Sequence, residues 1–171
     1  MPGSALPRLW RENVPGRLAA PQTLAEETFF VNATLRPIGW IKTPYQTLRD
    51  CPRNVDPAGP VCELLISEDY AQGATCLTAG QEILVLYWFE QADRDVLLQA
   101  HRKTGKERGV FALRTPNRPN PIAAAVVTIE HIQPGRIRVR GLDCLDGTPL
   151  IDIKPAVFRA QSDQTGKQLI G

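Results

Sequence analysis

The sequence predicts an all-β domain: a small closed or partly open β-barrel with short helical turns and an N-terminal extension. One reason is that 15 prolines and 13 glycines in 171 residues break the chain into short segments, which favours strands joined by turns over long helices. Another is that the apolar runs are short and rich in β-branched and aromatic residues. The clearest run, EILVLYWF at 82–89, is typical of a central strand. No Gly-x-Gly-x-x-Gly follows a strand, and this disfavours the dinucleotide-binding α/β class.

The order of elements follows from alternation and turn residues. Turn formers fill residues 50–60 (DCPRNVDPAGP), so that segment is a loop. Residues 69–77 suit a helical turn with Ser67 as its candidate cap. The predicted strands are 35–42, 61–66, 82–89, a hairpin of 96–102 with 109–114 around Lys-Thr-Gly-Lys, then 122–132, 136–141 and 149–154.

The chain divides into three parts. Residues 1–32 lack a sustained period and form an N-terminal extension, partly ordered at best, with a candidate short helix at 23–28. Residues 33–160 form the β domain, and residues 161–171 form a C-terminal tail.

Composition excludes several function classes. No run of eighteen apolar residues occurs and no apolar signal core follows Met1, so we expect a cytoplasmic protein with no membrane partner. The four cysteines show no Cys-x-x-Cys spacing, and only two histidines could join them. Reduced, mostly buried thiols are therefore favoured over zinc ligands, and no metal site is predicted.

Charge is concentrated in one window. The whole chain carries a formal charge of +2, whereas residues 102–118 hold six basic side chains against the single acid Glu107. A local positive surface suits a phosphate-bearing partner. A solvated hairpin tip is the alternative, and charge alone does not decide between them.

The segment GVFALRTPNRPNP at 109–121 is the first candidate site. Three prolines in its last six residues fix φ and remove backbone donors, so the loop is stiff and cannot join a ladder. Stiffness would hold Arg114, Asn117, Arg118 and Asn120 in set directions, as a polar recognition site needs. The alternative is a purely structural Pro-rich turn.

The segment GLDCLDGTPLIDIKP at 141–155 is the second. Its Asp-Gly turn carries Asp146, with Asp143 and Asp152 nearby. Carboxylates there could accept hydrogen bonds from ribose hydroxyls or an ammonium group, although a structural salt bridge is favoured for Asp152. Alternating Arg136, Arg138 and Arg140 give one strand face that either points to solvent or lies along an RNA backbone.

These motifs carry a resemblance. GVFALRTPNRPNPI and GLDCLDGTPLIDIKP, preceded by IGWIKTPY at 38–45 and CPR at 51–53, resemble the TsaA-like family, also described as YaeB-, VirR- or TrmO-like. The match covers residues 35–154. Several long motifs in order are far more specific than one short pattern.

The resemblance implies a dimeric β-barrel that binds S-adenosylmethionine. It further implies methylation of the N6 nitrogen of threonylcarbamoyl-adenosine beside the anticodon of tRNA. The cofactor contacts it implies are Pro52, Arg53, Asn54, Glu90, Gln91, Arg114, Leu145, Asp146, Gly147 and Thr148. Candidate proton acceptors are Asp143 and Asp146, and candidate contacts to the RNA are Arg118, Asn120, Arg102, Lys103, Lys106 and Arg108.

The sequence departs from the family pattern at three places. After Ile122 the family has glycine and then serine two residues on, where this chain has three alanines at 123–125. Ala156 replaces a tyrosine after Lys-Pro, and Glu90 precedes Gln91 where His-Gln is common. A binding or regulatory module with lost or altered methyl transfer is therefore the alternative function, and an RNA-binding β-barrel without cofactor is a third.

Overall fold

The computed structural model describes residues 34–101 and 104–157. The described residues from Leu35 onward belong to one compact unit. The predicted extension at 1–32, its candidate helix and the predicted tail at 161–171 lie outside the described residues. Among the described helices, none has the length and apolar character needed to cross a membrane.

Short strands dominate the described residues, with two 3₁₀ helices between them. The 3₁₀ helices span Glu68–Ala74 and Val110–Ala112. The strands are β1 Gly39–Lys42, β2 Val61–Ile66, β3 Glu82–Trp88, β4 Leu98–Ala100, β5 Glu107–Gly109, β6 Ile122–Thr128, β7 His131–Gln133, β8 Arg136–Arg140 and β9 Thr148–Pro155. The prediction of a mostly β chain with short helical turns is confirmed.

The structure corrects the prediction of a strand at 109–114. The strand β5 ends at Gly109, and a 3₁₀ turn follows it. This turn places Val110 in the interior, where it is 1% exposed, and the backbone N–H of Val110 donates to the carbonyl of Leu97 at 3.0 Å. The chain therefore leaves the extended conformation directly after Gly109, at the point where Val110 is buried.

Seven strands form one antiparallel sheet in the order β6-β3-β9-β1-β2-β8-β7, and β4 pairs with β5 in a separate hairpin. The edge strands β6 and β7 follow each other in the chain. In the described residues no ladder pairs these two strands, so closure of the sheet into a barrel stays a prediction.

One face of the sheet forms the core. The alternation of buried and exposed residues in β2, β3 and β8 follows the two-residue period of strands. Ile41, Leu64, Val85 and Leu150 have no exposed surface. Because each fully buried side chain of this size contributes about 1.5–3 kcal/mol, this face accounts for much of the stability.

Two loops meet at Gly141, where only glycine fits. Its φ of +67° lies in the left-handed region, and its N–H donates to the carbonyl of Pro60 at 2.9 Å. A Cβ at this position would lie 1.6 Å from the backbone oxygen of Asp56. Gly141 therefore lets the loop before β2 reach the loop after β8.

We expect Gly141→Ala to lower the free energy of unfolding by more than about 2 kcal/mol, because it adds a backbone clash to the left-handed penalty of about 1–2 kcal/mol. Gly80 is the matched control, since its φ is +86° and no atom lies within 4 Å of the position that a Cβ would take there. Urea unfolding of both variants measures the difference. Equal losses in Gly141→Ala and Gly80→Ala would contradict the steric argument.

Candidate functional site

A cavity of about 670 Å³ lies beside the ends of β3 and β9. Four segments that are far apart in sequence form its walls. They are residues 51–53 from the loop after β1, 87–92 around the end of β3, 113–118 and 121 from the Pro-rich segment with 122–124 at the start of β6, and 143–149 from the turn before β9. Leu48 and Gln99 complete the lining. The two segments singled out from sequence therefore face one common space.

Most of the predicted site residues line this cavity. They are Pro52, Arg53, Glu90, Gln91, Arg114, Arg118, Asp143, Leu145, Asp146, Gly147 and Thr148. Asn54 and Asn120 are exposed and do not line it, and Lys106 and Arg108 are exposed on the β4–β5 hairpin. Arg102 and Lys103 lie outside the described residues. The roles assigned to these residues stay predictions.

The turn before β9 is fixed by hydrogen bonds to the end of β1 and to the segment that follows it. The Asp146 carboxylate accepts from the backbone N–H of Thr43 at 3.0 Å and from the Gln46 side chain at 3.4 Å. The buried Thr43 hydroxyl donates to the carbonyl of Cys144 at 3.0 Å. Gly147, with φ of +81°, donates its N–H to the carbonyl of Ile41 at 2.9 Å. Asp146 is thus a structural contact as well as a wall residue.

Asp143 is held by a buried tyrosine. Tyr87, at the end of β3, is 1% exposed, and its hydroxyl donates to Oδ1 of Asp143. Burial, followed by the adjacent Asp143 charge, raises the pKa of Tyr87 far above its ordinary value. Tyr87 therefore stays a neutral donor, and it orients a carboxylate at the cavity wall.

The two arginines of the Pro-rich segment differ in their contacts. Arg118 donates from Nε to the carbonyl of Thr115 at 2.9 Å and from Nη2 to those of Leu113 at 2.6 Å and Val110 at 3.2 Å. Arg114 is exposed and makes one long contact, 3.5 Å from Nη2 to the carbonyl of Ala124. Arg118 thus braces the loop from within, whereas the guanidinium of Arg114 is available to a ligand.

Sequence reasoning missed the apolar part of the wall. Trp88, Phe89 and Leu113 line the cavity, and the Phe89 ring packs edge-on against Tyr87 with centroids 5.5 Å apart. The apolar run at 82–89 predicts a central strand and no ligand contact. Alternation was an available signal for Trp88 alone, since Trp88 falls on the face opposite Val85 and Tyr87.

Some of the departures from the family motif line the cavity and others do not. Ala123 and Ala124 line the cavity, whereas Ala125, at the position of the usual serine, is 3% exposed in the core. Glu90 lines the cavity and Ala156 does not. Ala125 and Ala156, which stand where the family has a serine and a tyrosine, are therefore outside the cavity lining.

The remaining charged residues lie elsewhere. Asp152 forms an ion pair with Lys154, in agreement with the salt bridge predicted for Asp152. Arg136 pairs with Glu63 at 3.4 Å, and Arg140 pairs with Glu130.

Across the described ranges, no three His, Cys, Asp or Glu side chains are grouped as a metal ion would need. Burial raises the pKa of the Cys144 thiol and that of the Cys62 thiol.

Comparison with known proteins adds a family. The model of the tRNA-methyltransferase O N-terminal domain matches residues 40–163. The "Probable S-adenosyl-L-methionine-binding protein VirR" of Rhizobium radiobacter is 44% identical over 124 residues, which are 72% of this chain and 71% of that protein. An "S-adenosyl-L-methionine-binding protein" of Archaeoglobus fulgidus is 44% identical over 120 residues, 70% of this chain and 86% of its own.

A solved structure agrees with the fold. The crystal structure of TrmO from Pseudomonas aeruginosa superposes with a TM-score of 0.62 at 30% identity, covering 75% of this chain. The match spans 57% of that longer chain.

We expect the free energy of unfolding to fall less steeply with rising pH in Tyr87→Phe than in the wild type. In the unfolded chain tyrosine ionises near pH 10.0, whereas folded Tyr87 keeps its proton, so rising pH favours the unfolded wild type. Between pH 8 and pH 11 this one group costs the wild type about 1.4 kcal/mol that the variant does not lose. Urea unfolding at pH 8 and pH 11 measures this difference. An identical pH dependence of the unfolding free energy in wild type and variant would contradict the conclusion that the Tyr87 hydroxyl stays protonated in the folded protein.

Proposed function

This chain belongs to the tRNA-methyltransferase O N-terminal domain family, and on that premise we propose that it is an S-adenosylmethionine-dependent methyltransferase that acts on tRNA. The observation that carries the proposal is the convergence of four distant segments on one cavity. Those segments contain the motifs by which the sequence resembles its relatives.

The residues present fit the cofactor. A cavity of about 670 Å³ lies within the range of about 300–1,000 Å³ usual for small-molecule sites. Arg53 and Arg114 can bind a carboxylate, while Glu90 and the turn carboxylates can accept from an ammonium group or ribose hydroxyls. The Trp88 and Phe89 rings in the cavity wall are of a kind that binds both a purine ring and a sulfonium cation.

The chemistry asks mainly for positioning. When bound, S-adenosylmethionine supplies an electrophilic methyl carbon for an in-line displacement. The protein's task is to hold that carbon and the acceptor nitrogen in line and to keep water out, and orientation of this kind accounts for much of the acceleration. The stiff Pro-rich segment and the hydrogen-bonded turn supply rigid walls for it.

The acceptor nitrogen must also lose a proton. Asp143 is the best-placed acceptor in the cavity wall, because the Tyr87 bond to Oδ1 fixes the carboxylate and leaves Oδ2 to accept. Asp146 has both oxygens engaged by Thr43 and Gln46. We therefore assign proton acceptance to Asp143. Because a carboxylate has about four acceptor sites, Asp146 can still accept a hydrogen bond from the cofactor, and we assign it that role.

The finer proposal is that the acceptor is the N6 nitrogen of threonylcarbamoyl-adenosine beside the anticodon. Its support is the resemblance together with the exposed Lys106 and Arg108 of the hairpin, which can contact phosphates near the cavity mouth. Arg118 braces its own loop, so we assign it an indirect role in RNA binding. The same family membership supports a homodimer, a cytoplasmic location and a closed barrel, each of which stays a proposal.

A second candidate is a module that binds the cofactor without transferring the methyl group. Glu90 favours it, because a carboxylate lies in the wall where the family commonly has an imidazole. The missing hydroxyls at 125 and 156 favour it less, since neither position lines the cavity. The two candidates differ in turnover and not in cofactor affinity.

We expect Arg114→Ala to weaken S-adenosylmethionine binding about tenfold, because one charge-assisted hydrogen bond is worth about 1.5–3 kcal/mol when formed well and less at an exposed side chain. Isothermal titration calorimetry of wild type and variant measures the dissociation constants. Arg36→Ala is the matched control, since Arg36 is exposed and lies outside the cavity wall. No heat with the wild type would instead favour an RNA-binding domain without cofactor.

We expect tRNA from a strain without this gene, and without a second copy, to lack the methylated threonylcarbamoyl-adenosine. Nucleoside mass spectrometry measures its level, and the wild-type gene restores it. Asp143→Asn should restore it at most weakly while the purified variant still binds the cofactor. An unchanged methylated nucleoside in the deletion strain would reject the tRNA reaction, and binding without turnover would favour the second candidate.

A further inference from the structure

Two of the cavity walls have no ladder between them for most of their length. The loop after β3 and the Pro-rich segment face each other, and backbone pairing ends with the bond from Phe89 N–H to the carbonyl of Pro121 at 3.0 Å. Pro116 and Pro119 have no N–H to offer. Side chains must therefore hold these walls together beyond that point.

One side chain is fixed on the first wall and donates to the second. The Arg94 guanidinium lies over the Trp88 ring with Cζ 5.4 Å from the ring centroid, and its Nε donates to the carbonyl of Pro119 at 2.9 Å. Beside it, the Asn117 amide oxygen accepts from the backbone N–H of Asp93 at 3.1 Å. Trp88 and Asn117 line the cavity, whereas Arg94 does not.

We propose that Arg94 is a positioning residue that sets the spacing between the loop after β3 and the Pro-rich segment, and with it the width of the cavity. It acts through Trp88 and the Pro119 carbonyl. The consequence for binding rests on the proposed cofactor site; the effect on the loops does not.

The geometry requires arginine and not merely a positive charge. A planar guanidinium can stack on an indole while its Nε–H points along the plane to a carbonyl. An ammonium group at the end of a lysine is compact and strongly hydrated, and it cannot keep both contacts at once. Lysine at this position would keep the charge and lose the bridge.

The bridge acts on local order more than on folding. Arg94 is exposed and none of its contacts belongs to the core on the inner face of the sheet. Its removal leaves the Asp93–Asn117 hydrogen bond as the remaining link between the two loops and leaves the ladders of β3, β6 and β9 in place. Loop order and ligand affinity should then change while the unfolding midpoint stays nearly constant.

The test uses Arg94→Ala and Arg94→Lys, with Arg36→Ala as an exposed arginine control. Hydrogen–deuterium exchange without ligand should rise several-fold in peptides covering residues 88–95 and 113–121 for both Arg94 variants and stay unchanged for the control. Calorimetry should give an S-adenosylmethionine dissociation constant about tenfold higher for Arg94→Ala, with Arg94→Lys closer to alanine than to wild type. Thermal midpoints should agree within about 3 °C.

Three results would overturn the proposal. Unchanged exchange in both loops would show that Arg94 does not hold them, and full affinity in Arg94→Lys would reduce its role to charge. A large fall in midpoint would make it a stability residue. A wild type that binds no S-adenosylmethionine would reject the proposed cofactor, and the exchange measurement would then decide the positioning role by itself.

Discussion

The hydrogen bond from the backbone N–H of Thr43 to the Asp146 carboxylate is the contact on which the cavity depends. It joins two segments separated by 103 positions in the chain, at the point where β1 ends and the turn before β9 begins. The N–H groups of Asp146 and Gly147 donate to Tyr45 and Ile41 in the same place. Because these bonds extend the β1–β9 ladder, the turn carboxylates and the loop after β1 start from one fixed position.

The opposite side of the cavity is held by a different means. The Pro-rich segment lacks the N–H groups that a ladder needs, so its carbonyls are bound by arginine side chains, Arg118 from within the segment and Arg94 from the loop facing it. A wall built in this way is stiff in its backbone and adjustable at its side chains. One wall therefore takes its geometry from the sheet and the other from a small set of polar contacts.

Much of this could be predicted from sequence. Strands β2, β3 and β8 follow from alternation or from a short β-branched run, and both motif segments line the cavity. Local pattern could not give the turn at Val110, because the turn accompanies the burial of one side chain that neighbouring residues in the sequence do not determine. The bracing role of Arg118 was missed for a related reason: its partners are backbone carbonyls, which leave no mark in the sequence. The same limit applies to Arg94. Its partner is the carbonyl of Pro119, and the sequence shows only that a proline has no backbone N–H to donate.

Burial decides what the departures from the family motif mean. Ala125 faces the core and pairs with Val85 across β3 and β6, so a serine there would bury a hydroxyl that the present packing does not require. Ala156 follows β9 on the far side from the turn and does not line the cavity. Two departures lie in the wall itself, Ala123 and Glu90. Of these, only Glu90 changes the charge, and it adds a carboxylate to a space already bounded by Asp143 and Asp146. Under the proposed function, a third carboxylate strengthens the attraction for a cationic ligand and opposes the ionisation of a bound acceptor, so we expect cofactor affinity and methyl transfer to respond to Glu90 in opposite directions.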